Sequence, residues 1–362
     1  MKKYLFLVVA VMLGFSSCLN DKDDPEIIID PSMSTTGVYV VNAGIMSMSS
    51  GTLSYFDYQN STIYNNVFRD TNGVEIGDTF NDGIVYDNKI YLAVNGSNVI
   101  HVVDRSTLKL EKTIVLDKEK SGPRRLAGYN GNIYVTLFSG YLAKINTKTL
   151  TVTETIEIGP NPEAIVVYEN QLYVAVSDAL NQNTESSDAC IAVVDPGKMA
   201  VTKRIQAGKN LTDLATNGSA LFVLSSGEYE SMTWKQINYG VKKIDGDKVS
   251  DILFAATDMV IKDNTIYYID NGYLVESVSY GKYDINSGSK SNWIEASEVQ
   301  FPAGIGIDPT TGDAFILSNN MGEGGYADYT SPGYMVHYAI DGVYKGKYNT
   351  GVCPTRVFFN YE

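Results

Sequence analysis

Histidine and cysteine are scarce in this 362-residue sequence, which holds two histidines and three cysteines. The cysteines Cys18, Cys190 and Cys353 lie far apart and form no disulfide framework, so whether Cys190 pairs with Cys353 stays open. No two Cys or His residues have zinc spacing. No G-x-S-x-G, phosphate loop or EF-hand is present. We therefore expect a protein that is not an enzyme and has no metal and no cofactor, with His101 and His337 as hydrogen-bonded residues inside strands.

Positive charge is also in short supply. The chain has 28 Lys and Arg against 42 Asp and Glu, a formal net charge of −14. Removal of the first 17 residues, which contain Lys2 and Lys3, changes −14 to −16. Such a surface repels nucleic acid and anionic lipid headgroups, so the sequence predicts neither as a partner.

Long hydrophobic runs are limited to one at the amino terminus. In "MKKYLFLVVAVMLGFSSC" two lysines precede an apolar run at 4–15, and small residues lead to Cys18. The run is too short to span a bilayer, and the order is that of a bacterial lipoprotein signal peptide. We expect residues 1–17 to be the signal peptide and Cys18 to be lipidated, which would hold the protein on a membrane. A signal peptide cleaved elsewhere is the alternative.

The next residues, 18–36, are predicted to be an acidic tether. "LNDKDDPE" directly follows Cys18, and one apolar interruption, "PEIIIDPS", comes after it. An acidic run behind a lipidated cysteine resembles the export signal of Bacteroidetes surface lipoproteins. That resemblance implies an outer-membrane protein facing the cell exterior. By itself, a short acidic run is a solvated linker.

Beyond the tether the chain has no long helical period, and short runs rich in Val, Ile, Tyr and Thr alternate with Gly, Asn and Asp turns. Similar strands recur at 36–42, 88–94, 131–137, 170–176, 219–225, 264–270 and 312–318. Each copy except the first, at 36–42, has a strand upstream, and the copies have one or two strands downstream. This pattern predicts an all-β fold over 37–362, a seven-bladed β-propeller with four antiparallel strands in each blade. Residues 353–360 are expected to be the innermost strand of the first blade and to close the ring.

Two repeats carry a family resemblance. "IYVTLFSGYLAKINTKTLTVTETIEIG" and "LYVAVSD…IAVVDPGKMAVTKRIQAG" resemble YVTN/YncE-like propeller repeats. Together with the lipobox and acidic tether, they resemble BtuG-type surface lipoproteins of Bacteroidetes. That resemblance implies capture of cobalamin or another corrinoid and delivery to a TonB-dependent transporter of the BtuB type.

Long loops are predicted on one face of the ring, the top face. They lie at 42–50, 177–189, 225–238, 270–277 and 318–333, whereas the opposite, bottom face carries tight turns. Long loops that share one face favour recognition there. Their large side chains are Met46, Met48, Tyr229, Trp234, Tyr273, Met321, Tyr326 and Tyr329. Packing of these side chains against one another is the alternative.

Charged residues recur where each innermost strand begins. One column holds Asn81, Arg124, Glu163, Thr212, Thr257, Ala303 and Thr355, and the next holds Asp82, Arg125, Ala164, Asp213, Asp258, Gly304 and Arg356. We expect both columns to converge at the mouth of the central channel, where the charges must pair with one another or with a ligand. A structural ion-pair network is therefore an alternative to a binding site.

The preferred hypothesis is a binding protein that captures a corrinoid. The predicted acceptors are Asp82, Glu163, Asp213 and Asp258; the predicted donors are Asn42, Asn95, Arg124, Arg125, Asn319 and Arg356; the aromatic contacts are Phe138, Tyr229, Trp234, Tyr273, Tyr326 and Tyr329. A scaffold for a protein or a surface glycan is the alternative. A hydrolase or lyase that uses Glu163 with Asp82 or Asp213 is a third.

Overall fold

The computed structural model describes residues 33–181, 187–273 and 277–362. The predicted signal peptide, Cys18 and the tether as far as residue 32 lie outside the described residues. No helix in the described part of the chain is long and apolar enough to cross a membrane. That part contains one α-helix, α1 (Val67–Asn72), and two short 3-10 helices (Ala179–Asn181 and Glu323–Gly325).

The strands form seven four-stranded antiparallel sheets, and each sheet runs from an inner strand at the channel to an outer strand. In that order blade 1 has β30 (Pro354–Tyr361), β1 (Thr35–Asn42), β2 (Thr52–Asp57) and β3 (Thr62–Tyr64). Blade 2 has β4 (Phe80–Tyr86), β5 (Lys89–Val94), β6 (Val99–Asp104) and β7 (Leu110–Val115). Blade 3 has β8 (Pro123–Tyr129), β9 (Asn132–Leu137), β10 (Tyr141–Asn146) and β11 (Thr151–Glu157). Blade 4 has β12 (Pro162–Tyr168), β13 (Gln171–Val176), β14 (Cys190–Asp195) and β15 (Ala200–Ile205).

Blade 5 has β16 (Leu211–Thr216), β17 (Leu221–Ser225), β20 (Gly240–Asp245) and β21 (Lys248–Val249). Between β17 and β20 lies a small hairpin of β18 (Glu228–Tyr229) and β19 (Gln236–Ile237). Blade 6 has β22 (Asp258–Lys262), β23 (Thr265–Asp270), β24 (Ser279–Asp284) and β25 (Lys290–Asn292). Blade 7 has β26 (Phe301–Ile307), β27 (Ala314–Asn319), β28 (Pro332–Tyr338) and β29 (Tyr344–Val352).

The innermost strands contact one another in cyclic order, β30, β4, β8, β12, β16, β22, β26 and again β30. This order confirms the predicted seven-bladed propeller. The ring closes inside blade 1, where β30 pairs antiparallel with β1, as in Val40 opposite Val357. The ends of the described chain meet there, since Ser34 and Glu362 exchange two backbone hydrogen bonds of 2.9 Å. Strand β1 begins at Thr35, two residues before the predicted domain boundary.

The hydrophobic core lies between neighbouring blades. Tyr91 and Val102 of blade 2, for example, belong to one buried cluster with Ile133 and Val135 of blade 3. Each strand alternates its side chains between the two faces of its sheet, and in a ring both faces are covered by a neighbour. A single repeat could not bury both faces, which explains why the sequence pattern recurs.

The repeated Asp or Asn at the end of the third strand stabilises a bottom-face turn. Asp104 Oδ1 accepts hydrogen bonds from the backbone N–H groups of Ser106 and Thr107, at 3.1 and 2.9 Å. Hydrogen bonds from the Ser106 hydroxyl and its neighbours lower the pKa of Asp104 to about 2. Asn146 and Asp195 accept equivalent backbone hydrogen bonds in blades 3 and 4. The side chain thus fixes the turn that returns the chain to the outermost strand.

Innermost strands approach their neighbours closely at glycines. A Cβ atom at Gly128 in β8 would overlap the ring of Tyr86 in β4. The Tyr86 hydroxyl in turn accepts a hydrogen bond of 2.9 Å from the backbone N–H of Gly131. The contact between blades 2 and 3 therefore requires a residue without a side chain at position 128.

We predict that Gly128→Ala lowers the free energy of unfolding by about 1–3 kcal/mol, because the added methyl group displaces the Tyr86 ring. Urea unfolding measures the change. Gly197→Ala is the matched control, since Gly197 has an ordinary φ and its Cβ would meet only Asp195 Oδ1, at 3.3 Å. The control is expected to stay within about 0.5 kcal/mol of the parent. Equal stability of the two variants would contradict the close packing of blades 2 and 3.

Candidate functional site

In six of the seven blades the two predicted columns coincide with a β-bulge at the start of the innermost strand; blade 6 has no such shift. Asn81, Thr212, Ala303 and Thr355 are each one extra residue opposite the partner strand, because the register shifts on either side of them. A bulge changes the direction of neighbouring side chains and increases the local twist. In this ring it directs two successive side chains of a strand toward the channel mouth.

A cavity of about 360 Å³ lies at this mouth, on the top face. Its polar lining comes from Arg125 of blade 3, Asp213 of blade 5, Asp258 of blade 6 and Arg356 of blade 1. Thr212, Thr257 and Asn271 add neutral polar groups. The structure therefore brings together four predicted charged residues from four blades. Asn271 joins them; it belongs to the predicted top-face loop 270–277, but it was not among the candidate site residues.

One ion pair crosses the channel. Arg356 Nη2 of blade 1 donates to Asp213 Oδ2 of blade 5 at 3.2 Å. Burial acts to lower the pKa of Arg356, but the negative charges of Asp213, Asp82 and Asp258 outweigh burial and raise it. The guanidinium of Arg356 therefore stays positively charged at neutral pH and is paired with the carboxylate of Asp213 across the cavity.

Arg125 is the second cation of the cavity and is partly buried. Its Nη1 donates to the backbone oxygen of Asn81 at 3.1 Å. Its Nε atom is buried and has no hydrogen-bond partner among the described residues. Burial and the nearby charge of Arg356 lower the pKa of Arg125 to about 10, so the group stays positive at neutral pH. One donor of this cavity residue is therefore buried and unused.

Two of the predicted carboxylates join neighbouring blades. Asp82 Oδ2 accepts from the backbone N–H of Leu126 in the next blade at 2.9 Å, and Asp258 Oδ2 accepts from Ile305 N–H at 3.0 Å. Burial raises the pKa of Asp82. Burial, followed by the charge of Asp213, raises the pKa of Asp258 to about 7. Near neutral pH Asp258 can therefore be a hydrogen-bond donor as well as an acceptor.

Arg124 and Glu163 form a bidentate pair between blades 3 and 4. Arg124 Nε and Nη2 donate to the two carboxylate oxygens of Glu163 at 2.8 and 2.7 Å. The Arg124 guanidinium also lies 5.4 Å from the centre of the Phe138 ring. Both oxygens of the carboxylate proposed for acid–base chemistry are bound to a cation, and neither Arg124 nor Glu163 lines the cavity. For these two residues the geometry favours the structural network.

Two of the three predicted asparagines, Asn42 and Asn95, donate side-chain hydrogen bonds to protein groups, and the buried Oδ1 atoms of Asn42 and Asn319 have no partner among the described residues. Asn42 is fully buried, and its Nδ2 donates to Ser54 Oγ at 2.9 Å. Asn319 is buried within blade 7, and Asn95 Nδ2 lies 3.4 Å from the backbone oxygen of Pro123. A residue at the end of a strand can be buried within its blade or exposed at the cavity. Sequence position alone therefore did not distinguish these asparagines from residues that line the cavity.

The large side chains of the top-face loops are mostly exposed. Met46, Tyr326 and Tyr329 are 78%, 75% and 62% accessible to solvent, and Trp234 and Tyr273 are also exposed. The further exposed apolar side chains of these loops are Met48, Leu180, Met232 and Met321. Loop cores would bury such groups, so the face presents apolar surface around a charged cavity.

Two top-face loops are joined by Gln236, a residue that no sequence pattern indicated. Its Oε1 accepts from the backbone N–H of Tyr273 at 3.0 Å, and its Nε2 donates to the oxygen of Ser226 at 2.8 Å. Tyr229 and Tyr273 meet edge to face, with ring centres 6.4 Å apart. Buried Gln236 therefore fixes the blade 5 hairpin against the loop of blade 6.

The histidines and cysteines have structural surroundings. His101 Nδ1 and Nε2 lie 2.9 Å from Thr113 Oγ1 and the Ile76 backbone oxygen, and His337 Nε2 lies 2.7 Å from Asp313. Burial lowers the pKa of both histidines. Cys190 and Cys353 are both free thiols. The described ranges contain no group of His, Cys, Asp and Glu that could hold a metal ion.

The raised pKa of Asp258 predicts a pH-dependent stability. Between about pH 4 and pH 7 the folded protein binds a proton at Asp258 that the unfolded chain lacks, so this carboxyl makes unfolding easier as the pH rises toward 7. We expect Asp258→Asn to reduce the fall in unfolding temperature between about pH 5 and pH 8. Thermal unfolding of both proteins across this range tests it. Asp87→Asn, at an exposed carboxyl, is the control. If the unfolding temperature of Asp258→Asn fell with pH as steeply as that of the control, the raised pKa of Asp258 would be contradicted.

The comparisons with solved structures show the fold. The Neurospora crassa Pan2 WD40 domain is similar at 9% identity, with 81% of this chain and 94% of that chain covered and a TM-score of 0.56. A streptogramin B lyase is similar at 17% identity, with 81% and 93% covered and a TM-score of 0.54. Kuenenia stuttgartiensis hydrazine synthase is similar at 13% identity, with 70% and 74% covered and a TM-score of 0.54. At such identities the similarity extends to the propeller fold alone.

No curated protein matches the chain. A family model does match it, over residues 36–350, which include almost the whole propeller. The protein therefore belongs to the family described as "Domain of unknown function (DUF5074)".

Proposed function

We propose that this protein is a lipid-anchored surface protein that captures a corrinoid on its top face and passes it to a TonB-dependent outer-membrane transporter. The observation that carries the proposal is one face that combines a charged cavity with exposed aromatic and methionine side chains. The proposal also rests on the resemblance of the lipobox, tether and repeats to BtuG-type lipoproteins.

The chemistry of a corrinoid fits both parts of this face. The corrin ring offers broad apolar surface to Tyr326, Tyr329 and Trp234. The amide side chains and the nucleotide phosphate need donors, which Arg125 and Arg356 supply, and acceptors such as Asp213. A cavity of about 360 Å³ is too small for a whole corrinoid. A polar arm would enter the cavity while the ring lies on the loops.

The rigid ring keeps the cost of binding low. Arg125, Asp213 and Arg356 are held by hydrogen bonds and ion pairs before any ligand arrives. Pre-organised groups lose little conformational freedom on binding. The loops differ from one another in length and sequence, and they give the face its specificity.

We predict that cyanocobalamin binds the protein in isothermal titration calorimetry with micromolar or tighter affinity. Tyr329→Ala and Trp234→Ala are each expected to weaken binding by about tenfold, because an aromatic anchor commonly contributes about 1.4 kcal/mol or more to an interface. Tyr344→Ala is the matched control, since Tyr344 is also an exposed tyrosine but lies on the outermost strand of blade 7. That variant should bind like the parent.

Absence of binding would overturn the corrinoid proposal and leave a scaffold for a protein or a glycan. Binding that Tyr344→Ala weakens as much as Tyr329→Ala would place the ligand away from the top face. Either result is measured with the same protein preparations, and circular dichroism confirms that each variant is folded.

A further inference from the structure

The lower part of the central channel has a chemistry opposite to that of the top cavity. A chamber of about 350 Å³ lies there, lined by aliphatic and aromatic side chains of several innermost strands, among them Ile84, Val166, Ile307 and Phe359. Ala127 and Gly128 also line its wall. An apolar chamber of this size that opens to water favours an apolar occupant.

The described chain begins beside this chamber. Thr35 Oγ1 donates to Asp308 Oδ1 at 2.7 Å, and the Thr35 backbone N–H donates to Thr310 Oγ1 at 3.2 Å. Between these two partners lies Pro309, which lines the chamber, as does Tyr361 opposite Thr35 in the sheet. The hydrogen bonds of Ser34 with Glu362 continue this pairing to the start of the strand. The preceding residues therefore join the propeller at the rim of the chamber.

The sequence just before this point contains one apolar stretch. Ile27, Ile28 and Ile29 stand between Glu26 and Asp30, within an acidic segment. The chain from Ile29 to Ser34 can extend over about 17 Å, which is enough to turn back into a chamber whose rim it adjoins. Burial of three isoleucine side chains in an apolar chamber is favourable in free energy, while the flanking carboxylates can stay in water at the rim.

We propose that the isoleucine triplet at 27–29 docks in the lower chamber and fixes the tether to the bottom face. The proposal does not rest on corrinoid binding. It concerns the opposite face and a segment of the chain itself. If Cys18 carries the lipid anchor, docking shortens the free tether to the residues between Cys18 and Glu26.

Limited proteolysis with an enzyme that cleaves before aspartate tests this proposal, on the chain from Leu19 onward. We expect cleavage before Asp30 to be at least about tenfold slower than cleavage before Asp23, because a docked segment is cut only in its open fraction. Simultaneous Ile27→Ser, Ile28→Ser and Ile29→Ser changes should make the two rates equal. Met46→Ser with Met48→Ser, which removes exposed apolar groups from the top face, is the control and should keep the difference.

A second measurement tests the chamber directly. A fluorescent peptide with the sequence of residues 25–31 should bind the triple serine variant at least about tenfold more tightly than the parent, whose chamber its own segment occupies. Equal cleavage rates at Asp23 and Asp30 in the parent would overturn the proposal. Peptide binding that is absent from the variant, or equal in both proteins, would overturn it as well.

Discussion

The pairing of β30 with β1 is the constraint on which this structure depends. Other neighbouring blades are joined through side chains and a few hydrogen bonds, whereas in blade 1 strands from both ends of the propeller form one sheet. Closure brings the seven innermost strands around a single axis, because a twisted row of sheets without it would leave two exposed edges. The top cavity and the lower chamber are both consequences of that closed ring.

Crowding charges around this axis requires compensation. Part of this charge is compensated within the protein. Arg124 pairs with Glu163, and the carboxylates of Asp82 and Asp258 accept hydrogen bonds from backbone N–H groups of the next blade. The cavity lining keeps the unpartnered, buried Nε of Arg125 and the 3.2 Å ion pair of Arg356 with Asp213. Buried polar groups without full partners are costly and are found where a ligand can complete them. Asp213 and Arg356 line the cavity, whereas Arg124 and Glu163 lie outside it.

Repetition made the fold predictable from the sequence, but it did not reveal which residues share a site. Strands and turns recur in register, and the terminal run at 353–360 lacked a partner, which predicted closure. The bulges could not be predicted, because one extra residue such as Thr212 leaves the apolar pattern almost unchanged. The contact between Arg356 and Asp213 could not be predicted either, because the two residues are 143 positions apart in the sequence. Asn42 was predicted to contact the ligand because it lies at the end of a strand. The structure buries it completely within blade 1, which the sequence did not indicate.

The charged cavity and the exposed aromatic side chains lie on the top face of the ring, and the proposed function depends on that asymmetry. A crystal structure of the protein grown with cyanocobalamin is the sharpest test. We expect density for the corrinoid above the channel mouth, with a polar arm within hydrogen-bond distance of Arg125 or Arg356 and the ring against Tyr329. Ligand density on the bottom face or on the outer strands of the blades would show that the top-face cavity is not the binding site.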